Sequence, residues 1–197
     1  TPLDKDRAQS VYIPAGASGV GTALIQLTRV MFPYARIFAT VSTQEKKEKC
    51  LSFGADHVVN YKEEGYDALA QSIKETTQGG LDAVFDCLGP GRAKDTLKLL
   101  RPEATWVVYA MLTGAEHDNQ MMLAGLFRKK IVMVNTMLRS RSDGYKASLT
   151  ARFREKVVPL IQQKVVSPVL FEQVCVSFDE EGAEKLDDLH SIMESKS

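Results

Sequence analysis

The sequence predicts an α/β protein organised as a doubly wound parallel sheet. Short apolar runs alternate with amphipathic segments along most of the chain, and the first run leads straight into a glycine-rich turn, "IPAGASGVGTALIQL". The segments between successive runs are also long enough to serve as crossover helices. Parallel neighbours require such crossovers, and right-handed crossovers stack helices on both faces of a sheet.

Each element has its own local justification. "SVYIP", residues 10–14, is a short buried-strand candidate. "VGTALIQLTRVM" puts Val20, Leu24, Leu27 and Met31 on one helical face before Pro33 stops it. "RIFATV", residues 36–41, is the next strand. The helix in "TQEKKEKCLSF" takes Thr43 as its cap, carries Glu45 in its first turn and stops at Gly54. "DHVVNY" reads as a strand, and "YDALAQSIKETTQGG" as a helix with Tyr66, Leu69 and Ile73 on one face and Gly79 beyond its end. "LDAVFDCLG", "RAKDTLKLL" and "TWVVYA" repeat strand, helix and strand. A sixth apolar run, "KIVMVNTML", begins at Lys130 after a looser segment around Met121 to Phe127.

From about Tyr145 the rhythm breaks. A long helix to Gln163, short extended pieces around "SPVLFEQVCVSF" and an amphipathic helix with Ala183, Leu186, Leu189 and Met193 on one stripe are expected there. The reading is therefore a doubly wound sheet domain over 1–144, and a tail over 145–197 that belongs partly to a second structural unit.

Composition excludes several classes. The 197 residues are 44% hydrophobic and 25% charged, as in ordinary soluble domains. Lys plus Arg equal Asp plus Glu at 25 each, which gives no electrostatic footprint for nucleic acid or an anionic membrane. No stretch approaches the length of a bilayer span, and the polar start "TPLDKDRAQS" is not signal-like, so the expected location is cytoplasmic. Cys50, Cys87 and Cys175 are too few and too scattered for a disulfide framework or a zinc knuckle, and each reads as a small buried apolar residue.

The opening turn carries the chemistry. In a dinucleotide-binding turn one glycine permits the bend after the strand, a second lets backbone approach the pyrophosphate, and a third lets the helix pack on the strand. Gly16, Ser18 and Gly21 occupy those positions, with Gly19 beside the second. Ser18 is small and brings a hydroxyl able to donate to phosphate. At the end of the second strand, "TVSTQEKK" has no acid at Val41, Ser42 or Thr43 to bind a ribose 2′-hydroxyl, whereas hydroxyls and Lys46 suit a 2′-phosphate. NADP(H) is favoured over NAD(H). The competing reading makes Lys46, Lys47 and Lys49 only a solvated helix face. A methyltransferase also uses a glycine-rich first turn, but the missing acid counts against it.

With these residues in place, "AGASGVGTALIQLT", "GADHVVNYKEE", "LDAVFDCLG", "WVVYAMLTGA" and "RKKIVMVNTMLRSRSDGYK" resemble, in the expected order, the quinone oxidoreductase (zeta-crystallin-like) branch of the medium-chain dehydrogenase/reductase superfamily. The resemblance implies a Rossmann fold with strand order 3-2-1-4-5-6 and zinc-independent, NADPH-dependent reduction of a quinone or another activated carbonyl or enone. It implies that Ser18, Gly19 and Val20 form the pyrophosphate turn and that Thr43, Lys46 and Tyr61 surround the 2′-phosphate. Cys87 and Leu88 would border the cofactor's ribose; Ala110, Met111 and Leu112 match the loop after strand five, and Met137 and Leu138 match the segment beside the nicotinamide. For Met111, Met137 and Leu138 the competing reading is core packing.

The sequence departs from that pattern at Ala110, where relatives usually carry glycine, and at Pro14, tolerable because a strand terminus can spare a donor. The family's separate N-terminal catalytic domain and its closing strand are also expected but not found in this stretch. His57, His117 and His190 lack a visible partner, Asp86 reads as a residue holding its loop, and no catalytic residue is nominated. Two functional readings follow: the cofactor domain of a quinone reductase, or a non-catalytic NADP(H)-binding module acting as sensor or scaffold. The resemblance implies a homodimer, formed through the edge strand Ile131 to Asn135, where unpaired backbone would meet a second copy.

Overall fold

In the computed structural model the described residues are 9–114 and 120–169, with Lys185 and Ser191. The extended pieces after 169, the stripe from Ala183 to Met193, Cys175, His117 and His190 lie outside them.

Six parallel strands form one sheet: β1 (Ser10–Ile13), β2 (Arg36–Val41), β3 (His57–Asn60), β4 (Leu81–Asp86), β5 (Leu100–Val108) and β6 (Val132–Asn135). Their order is β3-β2-β1-β4-β5-β6, as expected for the Rossmann fold. Every neighbouring pair is parallel, so each connection crosses over through a helix: α1 (Gly19–Met31), α2 (Gln44–Ser52), α3 (Gly65–Thr76), α4 (Ala93–Leu99) and α5 (Gln120–Lys129). After β6 come α6 (Asp143–Lys156) and α7 (Val158–Gln162).

Alternate side chains on each strand go to opposite faces, and both faces are covered. Tyr12, Phe38, Val84 and Trp106 build one core with Leu69 and Ile73 of α3. Val11, Ile13, Ile37 and Ala39 build the other with Ile25 of α1 and Cys50 of α2.

Four expectations are corrected. First, α1 does not bury Val20 and Met31, which are exposed; its inward residues are Gly21, Thr22, Ile25, Gln26 and Thr28. The rotation is set by Gly21 pressing on the backbone of the turn, and by Gln26. The Gln26 amide donates to the Ser167 carbonyl at 3.0 Å and accepts from the Ser167 N–H at 2.8 Å, so the returning chain lies across α1. Second, the segment around Met121 to Phe127 is helical. Its interior Gly125 lowers helix propensity, yet a Cβ there would collide with Leu97 of α4, so the glycine serves a close helix contact.

Third, β5 starts at Leu100, earlier than Thr105, because its pairing with β4 shifts register between Leu81 and Ala83 and leaves Pro102 and Glu103 in a bulge. Glu103 sits there at φ 64°. Fourth, the helix expected to run unbroken to Gln163 is split at Val157. Pro159 has no N–H to donate and crowds the residue before it.

Candidate functional site

β1 bonds to β2 on one side and β4 on the other, so the two halves of the sheet diverge above the carboxyl ends of β1 and β4. A crevice at such a reversal of strand order is where ligands of open α/β sheets bind.

The first wall is the turn between β1 and α1. Ala15 takes a left-handed conformation at φ 49°, and the Gly16 N–H donates to the Thr40 carbonyl at 3.0 Å, drawing the turn against β2. A Cβ on Gly16 would stand 2.8 Å from the Ala39 Cβ. A Cβ on Gly21 would strike the Ala15 carbonyl and lie 2.7 Å from the Gly16 oxygen, so this glycine lets α1 pack on the turn. Gly19 has open space where its Cβ would be. Ser18 is the N-cap, its hydroxyl oxygen accepting from the Gly21 N–H at 3.0 Å while its own O–H remains available as a donor. The N–H groups of Gly19 and Val20 have no intrahelical acceptor, and no acid stands in the first turn to compete with an anion.

The second wall rises from the ends of β2 and β3. Thr43 caps α2, its hydroxyl oxygen accepting from the Lys46 N–H at 3.3 Å. The three lysines have separate fates. Lys47 pairs with Glu64 at 2.7 Å and Lys49 lies over the Phe53 ring at 5.1 Å. Lys46 reaches only the Ser42 hydroxyl, at 3.4 Å, and has no carboxylate partner among the described residues. Tyr61 is held by its N–H on the Val41 carbonyl and by stacking on Tyr66, with ring centroids 5.2 Å apart; the Arg92 guanidinium covers Tyr66. The Lys47 hydrogen bond, with the Asn60 N–H, holds the Glu64 carboxyl below the usual carboxylate range.

The third wall is the loop after β4. Asp86 is buried and anchors this loop: one oxygen accepts from the N–H groups of Leu88 and Gly89 at 2.7 and 3.2 Å, the other from the Trp106 indole at 2.9 Å. Burial pushes its carboxyl above the ordinary value. Cys87 turns inward, its thiol 3.8 Å from the Pro14 carbonyl, and burial raises its pKa. Its carbonyl accepts from Leu112, tying the loops after β4 and β5 together. Thr113, not anticipated from sequence, reinforces that tie: its hydroxyl donates to the Leu88 carbonyl at 2.7 Å and accepts from the Gly91 N–H at 2.9 Å. A lone loop threonine gives no pattern by which to find it.

At the far end Ala110 is half-buried, while Met111, Leu112, Met137 and Leu138 are all more than half exposed. Their side chains are not core packing. His57 stacks on Phe38 away from these loops. Among the described residues no three His, Cys, Asp or Glu side chains are grouped to hold a metal, and Cys50 and Cys87 are buried and free.

The family described as zinc-binding dehydrogenase matches residues 19–155. The 2-haloacrylate reductase of Burkholderia sp is 33% identical over 110 residues, covering 53% of this chain and 30% of that protein. A probable quinone oxidoreductase of Leishmania amazonensis is 30% identical over 102 residues, 52% of this chain and 29% of that protein. The solved structure of Escherichia coli quinone oxidoreductase complexed with NADPH is similar with a TM-score of 0.68 and 26% identity, covering 82% of this chain and 48% of that one. The matched regions are thus less than a third of either relative and about half of the solved chain.

Proposed function

The chain belongs to the zinc-binding dehydrogenase family, in the medium-chain dehydrogenase/reductase superfamily, and from that premise we propose that it is the NADP(H)-holding part of an oxidoreductase acting on a quinone or another activated carbonyl or enone. The observation that carries the nucleotide is the turn itself. Gly19 leaves backbone bare at the opening of α1, Gly21 seats that helix, and the free N–H groups point their partial positive charge at one place. Lys46, with no carboxylate among the described residues to neutralise it, supports the 2′-phosphate form, and Thr43 and Tyr61 flank it.

When bound, the reduced nicotinamide supplies a hydride to the acceptor. The residues of this chain supply placement: Ser18, Gly19 and Val20 grip the diphosphate, the backbone at Cys87 and Leu88 borders the ribose, and Ala110, Met111, Leu112, Met137 and Leu138 flank the reacting ring. No side chain is assigned proton transfer, and the reading uses no zinc.

A titration with NADPH and NADH, on the wild-type chain and on Lys46→Ala, tests this. NADPH should bind more tightly, and the variant should lose about tenfold or more of NADPH affinity while NADH is unchanged. Failure of both nucleotides to bind at millimolar concentration refutes it. The second reading is a non-catalytic NADP(H) module. Nucleotide binding without quinone-dependent NADPH oxidation in the full-length protein would select it.

We also propose a homodimer through Ile131 to Asn135. β6 ends the sheet, and Val132 and Val134 are exposed on it. Among the described residues no helix is long and apolar enough to cross a membrane.

A further inference from the structure

The wall at the ends of β2 and β3 does not stop at Tyr61. The two strands pair in register as far as Val41 and Asn60, so Ser42, which Lys46 contacts, and Tyr61 leave the sheet side by side. The chain then folds back. The N–H groups of Glu63 and Glu64 donate to the Asn60 carbonyl at 3.1 and 2.8 Å, and Gly65 turns at φ 73°, which returns Tyr66 over Tyr61. The two ring centroids lie 5.2 Å apart with the planes at 19°, within the range of an offset stack.

Arg92 completes the row. Its guanidinium carbon is 3.8 Å from the centre of the Tyr66 ring, inside cation–π range, and Asp95 holds it at 3.2 Å. Although Arg92 is the N-cap residue of α4, its side chain makes no capping bond. The row Arg92–Tyr66–Tyr61 therefore joins the start of α4 to the ends of β2 and β3. Core packing does not account for Tyr66. Leu69 and Ile73, one and two turns further along α3, are buried, whereas Tyr66 is half-buried. Beside it a small, mainly apolar cavity of about 90 Å³ stays open between α3 and α4, with Tyr66, Leu88, Arg92 and Leu99 in its lining. The ring is held by its contacts with Arg92 and Tyr61, not wedged into the core.

We propose, resting on the reading that Tyr61 flanks a 2′-phosphate, that Tyr66 and Arg92 are positioning residues for NADP(H) selectivity. Their stack fixes the Tyr61 ring before the nucleotide arrives, so its O–H donates to the phosphate without first losing rotational freedom. A stacked neighbour of this kind shifts affinity by about three- to tenfold. NADH lacks that phosphate, so its affinity does not depend on the stack.

Titration of the chain with NADPH and NADH, read by nucleotide fluorescence, tests this. Tyr66→Leu should weaken NADPH about three- to tenfold and leave NADH within about twofold. Tyr66→Phe, which keeps the ring, should match wild type. Arg92→Gln, at a partly exposed side chain, should weaken NADPH in the same sense and keeps the test available if Tyr66→Leu destabilises the fold. A merely structural role would lower both nucleotides alike. A double-mutant cycle identifies the route: with Tyr61→Ala already present, Tyr66→Leu and Arg92→Gln should cost no further NADPH affinity. An unchanged NADPH-to-NADH ratio in Tyr66→Leu and Arg92→Gln, a loss in Tyr66→Phe equal to that in Tyr66→Leu, or a cost that persists on Tyr61→Ala overturns the assignment while the nucleotide reading stands. A wild-type chain that binds neither nucleotide, or both equally, overturns both.

Discussion

Substituting alanine at Gly19 and at Gly21, two residues apart at the same helix start, should give opposite effects on stability and the same effect on nucleotide binding. Gly19 opens α1 with nothing within 4 Å of where a Cβ would stand and no left-handed backbone requirement. Alanine there removes unfolded-chain freedom without strain, worth up to about 1 kcal/mol of added stability. At Gly21 the methyl group would lie 2.7 and 2.8 Å from the oxygen and carbon of the Gly16 carbonyl group and closer still to the Ala15 carbonyl. Those are backbone atoms, which cannot yield by changing rotamer, so the helix start must shift at a cost of about 1–3 kcal/mol. Gly21→Ala should therefore lower the urea midpoint and Gly19→Ala should hold or raise it, both followed by Trp106 fluorescence with an unchanged denaturant slope. NADPH affinity, read from nucleotide fluorescence, should fall in both by about tenfold or more, at Gly19 because the methyl group stands where the diphosphate approaches. If Gly19→Ala is at least as stable as wild type and still binds NADPH as tightly, the bare backbone at that position is not a ligand cradle and the assignment of the turn fails.

Three further outcomes follow from named contacts. Asp86→Asn keeps one carbonyl oxygen but must aim an amide N–H at either the Trp106 indole donor or the Leu88 and Gly89 N–H groups; a loss of about 2–3 kcal/mol in urea unfolding is expected, and wild-type stability would deny Asp86 its anchoring role. Glu64 has a lowered pKa, so its contribution is present above the ordinary carboxylate range and fades as pH falls through its folded value. Glu64→Gln should thus cost stability at neutral pH and converge with wild type in acid; because the side chains are partly solvated the difference should stay within about 1 kcal/mol, and a gap that persists in acid would contradict this origin. If the wild-type chain is the proposed dimer by light scattering, Val134→Lys should be a monomer, since a charge on the outer strand opposes pairing; a wild-type monomer, or a variant that stays dimeric, would refute the proposed edge-strand interface.

The sheet was legible because each buried strand is a short apolar run and each crossover announces its ends: Thr43 caps α2 and Gly54 closes it at φ 100°, both as the local sequence implies. What remained hidden depends on partners distant in sequence. The rotation of α1 is decided by Gln26 bonding to Ser167, 141 positions away, so a hydrophobicity pattern confined to the helix places the wrong residues inward. α5 looked loose because Gly125 weakens the helical signal, and its compensation, contact with Leu97, belongs to another helix.

The candidate site shows the same division more sharply, since its residue types were readable while their availability was not. Three lysines within four positions are equivalent as letters. Only the fold withdraws Lys47 to Glu64, 17 residues further on, and lays Lys49 over Phe53, leaving Lys46 with the Ser42 hydroxyl and no carboxylate partner among the described residues. Cys87 illustrates the converse: the position borders the crevice, but the thiol faces Pro14 and burial makes it a poor nucleophile, so any part it takes in holding a nucleotide falls to its backbone. Together with Asp86 and Thr113, that inward thiol ties the ends of β1, β4 and β5 into one frame, which on the proposed reading would hold a nicotinamide in place against an acceptor.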